Sequence, residues 1–186
     1  MPRKTVWFPL LLALLGPIDL AAVGGQSATT NSIAVVRAVH PELRRLIVEG
    51  DERSTTFRRL VEDVRQSGWL VFVQAGRCSE KAAVACLLHF VGAYEGAPYM
   101  RVVVTHQRRH PDNVIATLAH ELQHVWEVVR EPGVADARTM RALFQRIGTV
   151  SVQSVTGTTY ETAAARATGE RVLRELRRNG RPFPSR

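Results

Sequence analysis

Residues 120–124 read His-Glu-Leu-Gln-His, inside a stretch whose apolar residues recur at helical spacing. No other feature of the chain constrains its fold as much. On an α-helix, positions four apart share a face, so His120 and His124 aim their imidazoles at a common point. Two imidazoles so placed suit a zinc ion, and Glu121 beside them can hold and deprotonate a water. Such a helix must be packed on its other side, because packing is what fixes ligand rotamers. Val114, Ile115, Leu118, Leu122, Val125, Trp126 and Val129 supply that side as a broad apolar stripe over residues 112–130. Asp112 behind Pro111 is the expected N-cap, and Pro132-Gly133 the stop. The competing reading is a surface helix with two solvated histidines.

The remaining pattern predicts an α+β domain. Residues 33–50 carry apolar positions suited to a short helix after Pro41, and residues 54–68 a clearer one. Ser54 or Thr55 caps the start of the second, and Gly68 ends it. Three β-rich runs follow, at 69–73, 85–91 and 99–105, with turn residues over 92–98. They predict a short antiparallel sheet of three strands, the first two as a hairpin, with helices on one face. Residues 135–147 and 160–178 read as two further helices, separated by a Ser/Thr-rich loop over 149–159.

The first 28 residues read as targeting sequence rather than fold. Arg3 and Lys4 precede an apolar run over residues 6–15, Gly16-Pro17 breaks it, and small residues follow up to Ala28. The run is short for a membrane span, so a cleaved signal peptide is expected, with an uncleaved anchor as the alternative. Residues 29–186 would then form one exported domain, periplasmic or extracellular. Cys78 and Cys86, the only cysteines, fit that compartment as a disulfide. A continuous helix would hold them about 12 Å apart, so a bridge requires a turn between them.

The net charge of +8 comes from arginine, since Lys4 and Lys81 are the only lysines. The excess is densest at Arg171, Arg174, Arg177, Arg178, Arg181 and Arg186, and acidic residues are scattered through most of the chain. With aromatics at only 6%, the pattern lacks a nucleic-acid platform, and none is expected as partner.

A catalytic zinc needs a third protein ligand and one position for water. No histidine follows His124, and Glu127 and Arg130 stand where the metzincin pattern requires glycine and histidine. The third ligand is therefore a carboxylate if it lies downstream. Glu127 and Glu131 share the helix of the histidines, where a ligand three residues past His124 strains the geometry. Asp136 opens the next helix and is the reserve. Glu161, 37 residues after His124, is preferred, because alanines around it let its helix approach closely. Against this stands Thr158-Thr159-Tyr160-Glu161 as a capping box, in which Glu161 only satisfies a helix start. His89, His106, His110 and Tyr160 are weaker candidates; the last three could line the cleft.

In the pentad and the later Glu161 helix, the chain resembles the gluzincin peptidases. The resemblance implies a small zincin-like domain with zinc on His120, His124 and Glu161, and Glu121 as base and then acid. It implies a peptide or protein substrate, extended along a sheet edge for which residues 99–105 are the candidate. The family often has an acidic residue four after its ligand glutamate. Here that place is Ala165, so Asp136 or a carbonyl must orient a histidine instead. A zinc-binding scaffold without turnover, or hydrolysis of a non-peptide amide such as a cell-wall crosslink, are the alternatives.

Overall fold

The structure is a computed structural model and describes residues 35–79, 83–88, 90–154 and 157–180. The targeting segment over residues 1–28 lies outside the described residues, as do His89, Lys81, Arg181 and Arg186. The fold is α+β. Its elements run β1 (Val36–Ala38), α1 (Pro41–Arg53), α2 (Thr55–Gln66), β2 (Leu70–Ala75), β3 (Ala85–Leu87), β4 (Gly92–Tyr94) and β5 (Ala97–Val104). Then follow α3 (Pro111–Val129), α4 (Ala137–Ile147), β6 (Thr149–Ser154), β7 (Gly157–Glu161) and α5 (Ala163–Arg178).

The main sheet is mixed, not antiparallel, with order β1-β2-β5-β3 and β4 also paired to β5. β1, β2 and β5 run parallel, whereas β3 and β4 run antiparallel to β5. β2 and β3 therefore do not form the expected hairpin, because β5 lies between them. Two things hid this. β1 is three residues long and gives no readable pattern, and its parallel pairing with β2 depends on the α1–α2 crossover. The real hairpin is β4–β5, turning through Glu95 and Gly96, both at positive φ as a two-residue turn requires. The bridge from Cys78 to Cys86 is present, with Cα atoms 6.0 Å apart across the connection from β2 to β3.

The core forms where alternate residues of β2 and β5 meet the helices. Val71, Val73, Met100, Val102 and Val104 point to one face and are buried against Leu43, Ile47, Phe57, Val61, Ile115 and Leu122. α3 thus lies in the middle of the molecule, its apolar side against the sheet and its neighbouring helices. Ser54 caps α2 by accepting from the Phe57 amide, as expected. At α3 the N-cap is His110 rather than Asp112; Pro111 opens the helix and Asp112 ion-pairs with Arg53 at 2.9 Å. The expected loop over 149–159 is also corrected: β6 and β7 form a small antiparallel sheet. Its Ser/Thr content suggests a loop, but β-branched threonine and valine suit a pleated strand equally well.

Candidate metal centre

Three elements bring the site together. α3 presents His120 and His124 one turn apart, with their rings 5.0 Å between centroids. β7 ends at Glu161, and Thr162 then caps α5 by accepting from the Ala165 amide. Glu161 is thus the last residue of a strand rather than part of a helix, and no capping box forms from Thr158. Its carboxylate turns to the histidines, with His120 Nε2 3.2 Å from Oε2 and His124 Nε2 3.5 Å from Oε1. One ligand atom from each of the three residues lies within 4.8 Å of the others. A tetrahedral zinc with bonds near 2.05 Å sets its ligand atoms about 3.3 Å apart, so this donor set fits the ion.

The charges follow from the geometry. Burial works against a charged Glu161, but hydrogen bonds and charge from His120 and His124 outweigh it and hold the carboxyl well below its usual range. Burial likewise opposes a charged His124, yet hydrogen bonds to Glu127 and Glu161, with the charge of Glu121, raise it to about 9. Glu121 is 6% exposed, and burial pushes its carboxyl up against the pull of both histidines and a backbone hydrogen bond from Leu87. A carboxyl raised above its usual range by burial is a better proton acceptor than a solvated one.

His124 is held from behind by a group that the sequence reading did not assign to this task. Its Nδ1 lies 2.9 Å from Glu127 Oε2, and the Thr162 hydroxyl donates to Glu127 Oε1 at 2.6 Å. The chain His124–Glu127–Thr162 thus joins α3 to the cap of α5, next to Glu161. Phe144 of α4 packs its ring edge-on to His124 at 5.2 Å. The usable signal was spacing: three residues past His124 is too close for a shared ion but right for a neighbour on one helix face.

The other candidates lie elsewhere. Asp136 caps α4 through a reciprocal box with Thr139, so it is neither the third ligand nor the group behind a histidine. Glu131 pairs with Arg146 at 2.9 Å. His110 caps α3, and His106 is buried beside Glu42. Tyr160 does border the cleft, a cavity of about 750 Å³ that reaches from the β6–β7 hairpin across His120 and Glu121 to β3.

Among the described residues β3 is the edge strand of the sheet at this cavity; β5, the candidate edge strand, is central instead. The backbone of Val84 and Leu88 bonds inward to β5. By alternation, Ala85 and Leu87 direct their amides and carbonyls outward, where Leu87 meets Glu121. No protein-family model matches the chain, and neither does any curated protein or solved structure.

Proposed function

We infer that the chain is a zinc-dependent peptidase of gluzincin type. The observation that carries this reading is the convergence of His120, His124 and Glu161 on one point, with Glu121 buried beside them in an open cleft. Zinc bound there supplies Lewis acidity, polarising the scissile carbonyl and making water a competent nucleophile near neutral pH. Glu121 takes the proton from the attacking water and returns it to the leaving amine. Glu127 keeps Nδ1 of His124 occupied, which would leave Nε2 as the nitrogen free to hold a zinc ion. The Leu87 amide is taken by Glu121, so the outward carbonyls of Ala85 and Leu87 and the Ala85 amide give an extended peptide an edge to pair with, beside Glu121. A mixed sheet packed against the helix that bears the pentad is compatible with this reading of a zincin-like domain, and the disulfide accords with an extracytoplasmic site. Among the described residues no helix is long and apolar enough to cross a membrane.

The test combines metal content with turnover. Relative to the unaltered chain, His124→Ala and Glu161→Ala should each lose about one zinc per chain by elemental mass spectrometry. Glu121→Gln should keep its zinc and lose cleavage of a peptide library by about 10²–10⁴-fold. Unchanged zinc in both ligand variants would sink the reading.

A further inference from the structure

A second group of metal-binding type lies away from the cleft residues, at the C-terminal ends of the parallel strands. His40 stands two residues past the end of β1, and His106 two residues past the end of β5. β1 and β5 flank β2 and run the same way, so these two corners meet at one end of the sheet. Glu42, in the first turn of α1, completes the group. His106 Nε2 lies 3.4 Å from Glu42 Oε2, and the two imidazoles are 4.5 Å apart between centroids. One ligand atom from each residue falls within 4.8 Å of the other two.

We propose that His40, Glu42 and His106 form a second binding site for a divalent ion of the zinc class. Three observations carry it. The donor set is two imidazoles and one carboxylate, which selects zinc and its neighbours over magnesium or calcium. The 3.4 Å separation matches the roughly 3.3 Å between ligand atoms of a tetrahedral zinc. Finally, His40 occupies the N-cap of α1 but its side chain makes no capping hydrogen bond, whereas His110 does cap α3. His106 is 5% exposed and Glu42 half exposed, so the group is fixed on one side and open to solvent on the other. The ion is a clip, not a reactant: it ties the β1–α1 corner to the loop that leads into α3. His106 lies four residues before His110, the cap of the helix bearing His120 and His124.

The experiment is zinc stoichiometry on the full chain, stripped with chelator and reloaded, in His40→Ala, Glu42→Gln, His124→Ala and His40→Ala/His124→Ala. Folding of each is checked by circular dichroism. Buried His106 is left unaltered. The proposal expects about two zinc ions per unaltered chain, about one in each single variant and none in the double. It also expects zinc to raise the melting temperature of His124→Ala but not of the double variant. If His40→Ala and Glu42→Gln bind as much zinc as the unaltered chain, the second site is overturned. Loss on His40→Ala without loss on His124→Ala would uphold this site while removing the peptidase reading.

Discussion

Glu127 does at the scale of one side chain what the sequence reading had assigned to Asp136 or a backbone carbonyl. An imidazole has two nitrogens, and a metal ligand works through one only if the other is held. Glu127 holds Nδ1 of His124 and is itself held by the hydroxyl of Thr162. Removing it leaves every proposed zinc ligand in place but frees the ring. Glu127→Ala should therefore weaken zinc binding by about 10–100-fold while the chain stays folded, measured by competition with a chromogenic chelator. An unchanged affinity would show that packing against Phe144 alone suffices to orient His124. The pentad was legible because its chemistry is local: two histidines and a glutamate within five residues of a periodic helix. Glu161 was legible as a residue type and distance, but not its place on a strand, because two alternatives (helix start or strand end) share its local sequence. The task of Glu127 was not legible, since it depends on a threonine from another element.

Elements explain why the site is held at this spacing. α3 and α5 cross closely because Gly169 has no side chain there. A Cβ at this position would lie 3.2 Å from the carbonyl oxygen of Ala116 and 3.3 Å from Cβ of His120. Gly169→Val should push the helices apart next to a proposed ligand. The expected cost is about 1–3 kcal/mol of stability, read by chemical denaturation, with weaker zinc binding in the same protein. Stability lost with zinc affinity intact would place His120 out of reach of that strain. At this scale the helices were the readable part of the chain: α2 announced itself through its Ser54 cap and apolar stripe, and α3 through its stripe alone, its cap being His110 rather than Asp112. The sheet was not, because strand order is decided by contacts far apart in sequence, and β1 and β3, at three residues each, carry no period. The β6–β7 hairpin was missed for the converse reason, its composition pointing equally to a loop.

At the scale of the molecule, two devices far apart in the sequence hold the two sides of the cleft. The first is a joint at which α5 closes onto the corner between α1 and α2. Glu175 accepts from the hydroxyls of Ser54 and Thr56 and from the Thr56 amide. Burial opposes its charge, but those donors prevail and lower its carboxyl from the ordinary 4.5. A lowered folded value means that the contribution is fully present above 4.5 and is lost as the pH falls through that lower value. Glu175→Gln should thus cost about 1 kcal/mol at neutral pH, after allowance for solvent screening. The penalty should shrink under acid conditions, as denaturation at both pH values would show. A pH-independent penalty would mean that shape, not charge, makes the joint.

The second device holds the opposite wall. β3 is the edge at the cavity, and among the described residues it pairs with β5 alone. Cys86, opposite Val103 on β5, is bridged to Cys78, three residues past the end of β2. The bridge closes a short loop, so its removal in Cys78→Ser/Cys86→Ser should lower stability by about 2–3 kcal/mol. The larger consequence concerns recognition. If a peptide substrate pairs along Ala85 and Leu87, a loosened β3 must be ordered again at each binding event. The doubly substituted chain should then keep its zinc and show a raised KM with a smaller change in kcat. A change in kcat alone would place the substrate away from this edge, and the β6–β7 hairpin, which carries Glu161 on the facing side of the cavity, would be the wall to test next.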